Sequence, residues 1–242
     1  MSLAFQELDH AQTPFGELIL RRRRALSMGG QDVYEVKVGG DFLMSSLVNA
    51  SEIALAELGL APLSEGPLDV VVGGLGLGHT AATALGEPRL RSLIVVEALS
   101  EVISWHERAL VPLGETLRDD PRCRLVHADF FAGARAPEQG FDPAKPARRF
   151  DAVLLDIDHS PTGVLHSSHA DLYTPAGLAR MSAHLRPGGV FALWSFEPPE
   201  AAFVERLAAS FASAEAHPVE FFNHHLDRDD LNTIYVCRRA DD

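Results

Sequence analysis

The segment from Val70 to Gly78 reads Val-Val-Val-Gly-Gly-Leu-Gly-Leu-Gly and constrains the fold more than any other part of the chain. Its apolar β-branched run predicts a buried parallel strand, because such residues pack on both faces of a covered sheet. The alternating glycines Gly74, Gly76 and Gly78 then predict a tight turn whose bare backbone a ligand can approach before a helix begins. The sequence therefore predicts a strand, a glycine loop and a helix arranged around a ligand.

A second apolar run, Leu93 to Val96, ends on Glu97. Glu97 lies about twenty residues beyond the glycines, a spacing at which a carboxylate accepts hydrogen bonds from both hydroxyls of a ribose. The alternative is that the glycines serve only a close turn and that Glu97 is a solvated strand end. Because loop, spacing and acid occur together, we predict a nucleoside-bearing ligand. A phosphate-binding loop is not predicted, since His79-Thr80 stands where Gly-Lys-Ser would be needed.

Length and charge narrow the class of protein. With 242 residues, 46% of them hydrophobic, the chain can bury one substantial core or one core with a small appendage. A formal net charge of -13 argues against a nucleic-acid partner and modestly favours cationic substrates such as amines. The two cysteines, Cys123 and Cys237, form no disulfide framework or metal motif, and we predict no metal. We expect a cytoplasmic protein without a membrane partner, because no leader or spanning segment is present.

The first part of the chain, residues 1–48, predicts a small antiparallel β unit. Short strand-like pieces separated by paired glycines are expected at Glu17–Arg21, Val33–Val38 and Phe42–Met44. From Asn49 the hydrophobic period becomes helical. Asn49 is the predicted N-cap of this helix, and Glu52, three residues later, is its predicted capping-box partner.

Residues 49–242 alternate strand-like and helix-like segments, which is typical of an α/β domain with helices on both faces of a parallel sheet. We predict a Rossmann-like, doubly wound, seven-stranded and mostly parallel sheet that has an antiparallel C-terminal strand. One long helix is predicted across Val102 to Leu117.

Ligands of such sheets bind beyond the carboxyl ends of the strands. Four predicted strands end there at polar or flexible groups, namely the glycine loop, Glu97, Asp129 and Asp156. Asp129 has two interpretations that stay open: it accepts the exocyclic amine of an adenine, or it caps the helix that starts at Phe130. Asp156 is expected to face whatever lies beyond the ribose.

Six motifs stand in order along residues 68–195. They are Val-Val-Gly-Gly-Leu-Gly-Leu-Gly, Val-Val-Glu97, Asp120-Pro121-Arg122, His-Ala-Asp129, Phe150-Asp-Ala-Val-Leu-Leu-Asp156 and Leu185-Arg-Pro-Gly-Gly189. This array resembles the spermidine and spermine synthase family of aminopropyltransferases, which has the fold of class I S-adenosylmethionine-dependent methyltransferases. A weaker likeness extends over the N-terminal β unit.

The resemblance implies a role in polyamine biosynthesis, with S-adenosylmethionine or decarboxylated S-adenosylmethionine as co-substrate. It assigns the glycine loop to the sulfonium end, Glu97 to the ribose, Asp129 to the adenine and Asp156 to the attacking amine. It also implies a small-molecule amine acceptor, no metal, and a homodimer with the β unit at the interface.

The chain departs from the family at several positions. The family's loop aspartate corresponds here to Gly76, and its Asp-Ser-Ser-Asp-Pro becomes Asp156-Ile-Asp158-His159-Ser-Pro. Aligned on Asp156, the second acid becomes His159, for which Asp158 can partly compensate, so the predicted catalytic residues are Asp156, Asp158 and His159. His159 is either a base near neutral pH or an ordinary loop residue. Tyr173 is expected at the cleft, where the family has a tyrosine.

Three functions stay open at this point. The first is aminopropyl transfer to an amine. The second is methyl transfer to a small molecule, which the lost loop aspartate favours. The third is nucleoside binding without catalysis.

Overall fold

The N-terminal part of the protein is a four-stranded antiparallel sheet in the computed structural model, which describes residues 5–26, 29–224 and 227–241. Its strands follow the chain as β1 (Phe5–Thr13), β2 (Gly16–Ala25), β3 (Gln31–Val38) and β4 (Asp41–Ser45). The three predicted strands are present, and β1 was missed. A register shift between Glu7 and Asp9 interrupts the alternation of β1, which explains the miss. Residues 1–4 and 27–28 of the predicted unit lie outside the described residues, and the boundary at residue 48 stays a prediction.

The second sheet has seven strands. They are β5 (Leu68–Gly73), β6 (Leu90–Glu97), β7 (Cys123–His127), β8 (Phe150–Leu155), β9 (Leu185–Ser195), β10 (Ser213–Asn223) and β11 (Arg228–Arg238). Their order is β10-β11-β9-β8-β5-β6-β7, and β11 alone runs opposite to the direction of the other six strands. The predicted architecture is confirmed. The strand order reverses at β5, so the glycine loop follows the strand at the topological switch point.

Seven α-helices connect and cover the strands of the described chain. They are α1 (Ala50–Leu60), α2 (His79–Leu85), α3 (Ser100–Glu107), α4 (Gly114–Asp119), α5 (Phe130–Arg135), α6 (Pro175–Ala183) and α7 (Ala201–Ala208). A short 3₁₀ helix spans Ser167–Asp171. The predicted single helix across Val102–Leu117 is wrong. The chain turns at Ala109, whose φ is 53°, and Pro112 lacks the N–H that a continuing helix would need.

The seven-stranded sheet carries a buried apolar layer on each face. Successive side chains of β5 point to opposite faces, so Val70 and Val72 join one layer and Val71 joins the other. The first layer reaches Leu18 of the four-stranded sheet, and Trp105 Nε1 donates to Asp9 Oδ2 at 2.8 Å across the same boundary. The two sheets therefore share one core. None of the helices in the described ranges combines the length and the hydropathy that crossing a membrane requires.

Candidate active site

The glycine loop joins β5 to α2 at the switch point. Gly74, Gly76 and Gly78 have φ angles of 96°, 46° and 91°, a region that residues with a Cβ rarely adopt. A Cβ on Gly74 would lie 2.1 Å from the carbonyl oxygen of Asp156. The buried side chain of His106 on α3 stabilises the loop, because its Nε2 donates to the carbonyl oxygen of Gly76 at 2.9 Å. The loop is therefore tightly packed, and its backbone conformation requires glycine at these positions.

Glu97 lies beside this loop at the end of β6. Its carboxylate accepts hydrogen bonds from the backbone N–H of Leu75 at 3.0 Å and of Leu99 at 2.8 Å. Burial raises the pKa of Glu97, and these backbone donors partly oppose that rise. Each oxygen that accepts one N–H keeps lone-pair capacity for a hydroxyl group. The geometry is compatible with a ribose contact, which stays a prediction.

Asp129 caps α5. Its Oδ1 accepts from the N–H of Phe131 at 2.8 Å and of Ala132 at 3.1 Å. The capping interpretation is therefore observed. The side chain is 51% exposed, and its Oδ2 lies 3.8 Å from a guanidinium nitrogen of Arg135, a solvent-exposed ion pair that leaves Oδ2 accessible while Oδ1 caps the helix. The adenine contact stays a prediction.

A cavity of about 710 Å³ opens beside the glycine loop. Its wall comes from β4, the start of α1, the loop itself, the segment after β8 and the ends of β9, β10 and β11. Of the predicted site residues, it brings together Gly76, Gly78, Asp156 and His159. The other predicted site residues do not line it, namely Gly74, Glu97, Asp129, Asp158 and Tyr173.

Asp156 follows β8 and faces the cavity. Its backbone N–H donates to the carbonyl oxygen of Gly73 at 2.8 Å, and Thr80 Oγ1 donates to its Oδ2 at 2.7 Å. Burial raises the pKa of Asp156 to about 6, against the opposing effect of the Thr80 hydrogen bond. A carboxyl group with such a pKa can exchange a proton with a ligand near neutral pH.

Glu52 brings a second carboxylate to the cavity, and the capping box predicted for it is wrong. Asn49 makes no side-chain capping bond, and its amide nitrogen instead lies 3.4 Å from His79 Nδ1. Oε2 of Glu52 accepts from Ser51 Oγ at 3.0 Å. Burial and the negative charge of Asp156 raise the pKa of Glu52 to about 7. The sequence signal located the helix start correctly and misassigned the side chain.

Asp158 lies in a buried network behind the cavity. It accepts hydrogen bonds from His169 Nδ1 at 2.7 Å, from the Tyr173 hydroxyl at 2.8 Å and from the backbone N–H of Leu165 at 2.8 Å. These contacts tie the segment after β8 to the 3₁₀ helix. The structure does not bring Asp158 or Tyr173 to the cavity, and the hydroxyl of Tyr173 is already engaged.

His159 is exposed at the cavity wall. Its carbonyl oxygen accepts the N–H of Phe196 at 2.7 Å, which fixes the backbone of this segment against the end of β9. Asp156 and His159 therefore share one cavity.

Met44 occupies the space beside Gly76. A Cβ on Gly76 would lie 2.9 Å from Met44 Sδ, so a larger side chain at this position needs Met44 to move. The carboxylates that line the cavity come instead from Glu52, Asp156 and Asp230. In the described ranges, no group of three or more His, Cys, Asp or Glu side chains is placed to hold a metal ion.

Comparison of sequences gives a partial match. No protein-family model matches the chain. A polyamine aminopropyltransferase of Pyrobaculum arsenaticum is 28% identical over 139 residues, which are 56% of this chain and 45% of that protein. The chain therefore matches less than half the length of this relative.

Comparison of structures extends over nearly the whole chain. A spermidine synthase in complex with the transition-state analogue AdoDATO has a TM-score of 0.74 at 16% identity, covering 98% of this chain and 75% of the other. This chain has the spermidine synthase fold. The spermidine synthase from Thermotoga maritima has a TM-score of 0.72 at 16% identity, covering 98% of this chain and 73% of the other. The resemblance predicted from the motifs is confirmed.

Several side chains that build the site in this spermidine synthase fold escaped the sequence analysis. Thr80 and His106 position Asp156 and the glycine loop, and Ser51 accepts from Trp194 Nε1 at 2.9 Å beside Glu52. The available signal for Thr80 was its place directly after the glycine loop, in the first turn of α2. His106 gave no comparable signal, because its contact with Gly76 depends on how α3 packs.

Proposed function

We propose that this protein transfers an aminopropyl group from decarboxylated S-adenosylmethionine to a small amine. The observation that carries the proposal is Asp156, a carboxylate that faces a cavity directly beside the glycine loop of a spermidine synthase fold. The names of the relatives, a polyamine aminopropyltransferase and spermidine synthases, support the donor and acceptor classes.

The proposed reaction is an in-line displacement. The lone pair of the amine nitrogen forms a bond to the carbon beside the sulfonium, the carbon–sulfur bond breaks, and its electron pair stays on sulfur as a neutral thioether. An alkylammonium acceptor must lose a proton to expose that lone pair. Asp156 takes or relays this proton, since its pKa of about 6 lets the carboxylate form near neutral pH. The sulfonium is itself the electrophile, so the proposal requires no metal.

The remaining site residues have distinct parts in this proposal. The glycine loop holds the sulfonium end, Glu97 the ribose and Asp129 the adenine, while His159 lies beside the acceptor. We assign Asp158 and Tyr173 to positioning, because their hydrogen bonds fix the segment that carries Asp156 and His159.

We also propose a homodimer that forms through the four-stranded sheet, supported by the exposed aromatic side chains of Phe5 and Phe15. A cytoplasmic location is supported by the two free cysteines, Cys123 and Cys237, which a reducing compartment maintains.

Methyl transfer from S-adenosylmethionine is the second candidate. The observation that favours it is Met44, whose sulfur fills the space beside Gly76 where the family carries an aspartate. A loop without that carboxylate cannot form an ion pair with the amine of the decarboxylated donor, so it selects that donor less strongly.

Product analysis by mass spectrometry tests the proposal. The protein is incubated with decarboxylated S-adenosylmethionine or with S-adenosylmethionine, each with a panel of polyamines. We expect methylthioadenosine together with an aminopropylated amine. S-adenosylhomocysteine with a methylated amine would overturn the proposal in favour of methyl transfer. Nucleoside binding without any product would overturn it in favour of a binding protein.

Replacing Glu97 with glutamine is expected to weaken nucleoside binding by about 10- to 100-fold, because a carboxylate that accepts from charged or backbone donors contributes about 1.5–3 kcal/mol per bond. The amide can no longer accept from both Leu75 and Leu99 while it also binds the two ribose hydroxyls. Calorimetry with methylthioadenosine measures the change. Glu107→Gln, an exposed position on α3, is the matched control. Equal affinities in the two variants would remove Glu97 from the nucleoside site.

A further inference from the structure

Aromatic side chains form a large part of the wall of the cavity beside the glycine loop. They are Phe42 of β4, Trp194 near the end of β9, Phe196 just after β9, and Phe221 of β10. Phe42 and Phe196 are 46% and 57% exposed, which places them toward the mouth of the cavity. Apolar surface that a fold leaves open to solvent around a cavity is typical of a binding site.

The strand register directs Phe221 toward the cavity and Phe222 away from it. Phe221 pairs with Asp230 of β11, and both residues line the cavity. Phe222 pairs with Asp229, and neither of these two lines it. This difference follows from the alternation of side chains along a strand. Phe221 is also absent from both buried apolar layers of the described chain, so its ring is not needed to complete the core.

Two polar groups beside these rings are already engaged. Asp230 Oδ2 accepts from Asn223 Nδ2 at 3.0 Å, and its Oδ1 accepts from the N–H of Leu231 at 3.0 Å. The indole of Trp194 donates through Nε1 to Ser51 Oγ at 2.9 Å, which leaves its apolar surface for a ligand. This part of the wall therefore favours an apolar body over a second charged group.

We propose that the acceptor is an arylalkylamine, a primary amine whose aromatic body packs against Phe221 and Trp194 and carries no second charge. The inference rests on the proposed function and makes Phe221 a specificity residue of the same site. The cavity of about 710 Å³ lies within the range of pockets that enclose ligands larger than a short diamine. Aromatic rings that meet edge to face also gain more than the apolar area they bury.

The competing occupant of such a wall is a second ammonium group held over the faces of the rings. At a site open to solvent, that attraction is weaker than the gain from removing a phenyl group from water. The ammonium group would also lose hydration, and Asp230 would have to share its oxygens with the donors that it already has. The aromatic body is therefore favoured.

4-Phenylbutylamine and 1,4-diaminobutane test the proposal, because they share a primary amine on a four-carbon chain and differ at the far end. NMR titration of the full chain in the presence of methylthioadenosine is expected to show at least about tenfold tighter binding of 4-phenylbutylamine. Equal affinities, or tighter binding of 1,4-diaminobutane, would overturn the proposal.

Phe221→Ala is expected to lower the affinity for 4-phenylbutylamine by at least about tenfold and to leave that for 1,4-diaminobutane within about twofold. Phe222→Ala, at the next position and on the opposite face, is the matched control and should bind both probes as the wild type does. Phe196→Ala, at a position 57% exposed, perturbs folding least and should also weaken binding of the aromatic amine. Wild-type affinity in both Phe221→Ala and Phe196→Ala, with folding checked by thermal unfolding, would overturn the proposal.

Product analysis with the same two amines separates this inference from the proposed function. Methylthioadenosine with aminopropylated 4-phenylbutylamine, formed faster than the product of 1,4-diaminobutane, would support both. Faster aminopropylation of 1,4-diaminobutane would overturn the inference and keep the proposed function. S-adenosylhomocysteine with methylated 4-phenylbutylamine would overturn the proposed function and keep the specificity for an aromatic amine.

Discussion

Asp156→Asn is expected to lower the rate of transfer by about 10²- to 10⁴-fold, the range that a positioned general base contributes. The amide has nearly the shape of the carboxylate and can still accept the Thr80 hydrogen bond through its oxygen. It cannot take a proton from an ammonium group. Affinity for methylthioadenosine should change little, because the glycine loop and Glu97 are untouched. Steady-state kinetics and calorimetry measure the two quantities separately.

If the proposed transfer occurs, the pH profile of the wild-type protein tests whether the Asp156 carboxylate is the base. Burial raises the pKa of Asp156 from its ordinary 3.8 to about 6, so the base form is absent at low pH and appears as pH rises through about 6. Activity should therefore rise with pH across this range, and the residual activity of Asp156→Asn should lack this rise. Asp119→Asn, at a position 63% exposed, is the control. Wild-type turnover in Asp156→Asn would remove Asp156 from the mechanism.

The same pKa shift separates a catalytic defect from unfolding. The Asp156 carboxyl group keeps its proton to higher pH in the folded state than in the unfolded chain. Folding therefore becomes less favourable as pH rises from about 4 to about 6, and this cost in stability remains above about pH 6. Asp156→Asn removes the cost. Its melting temperature at about pH 8 should be equal to or above that of the wild type. A less stable variant would mean that packing around the Asp156 side chain outweighs the charge.

The sequence identified the parts of the site whose signals are local. The apolar run of β5, the glycine loop and Asp156 at the end of β8 each carry their own pattern, and the alternation of elements predicts the sheet. Glu52 was missed because a capping box is a local rule, whereas the role of Glu52 depends on α1 packing against α2 and beside Asp156. That contact joins residues far apart in the sequence, which periodicity does not report.

Asp158 shows a different limit of sequence reasoning. Alternation along β8 ends at Leu155, so the pattern cannot tell which of the next side chains face the cavity. The structure directs Asp156 and His159 toward it and engages Asp158 with His169 and Tyr173. Partners of a buried carboxylate must be known before a catalytic role can be distinguished from a positioning role.

Gly74→Ala is expected to lower the free energy of unfolding by about 2–5 kcal/mol, through backbone strain and overpacking together. The φ angle of Gly74 is 96°, and a Cβ there would lie 2.1 Å from the carbonyl oxygen of Asp156 and 3.1 Å from Ile157 Cγ1. The first contact is with backbone, so no change of rotamer relieves it. Urea unfolding measures the loss.

The variant should also lose nucleoside affinity and transfer together, unlike Asp156→Asn, which separates them. The N–H of Gly74 donates to the carbonyl oxygen of Val96 at 2.9 Å, and the N–H of Asp156 donates to that of Gly73 at 2.8 Å. A displaced Gly74 therefore moves both the glycine loop and the segment that carries Asp156.

Gly40→Ala is the control that separates the steric clash expected in Gly74→Ala from its backbone strain. Gly40 has a φ of 94°, close to that of Gly74, and a Cβ on it would meet no atom within 4 Å. Its loss of stability should reflect backbone strain alone, about 1–3 kcal/mol. The additional loss in Gly74→Ala then measures the contact between the glycine loop and the Asp156 segment. Equal losses in the two variants would mean that the glycine loop and the Asp156 segment can move apart at little cost. Nucleoside binding at the loop would then not help to position the Asp156 carboxylate for the acceptor.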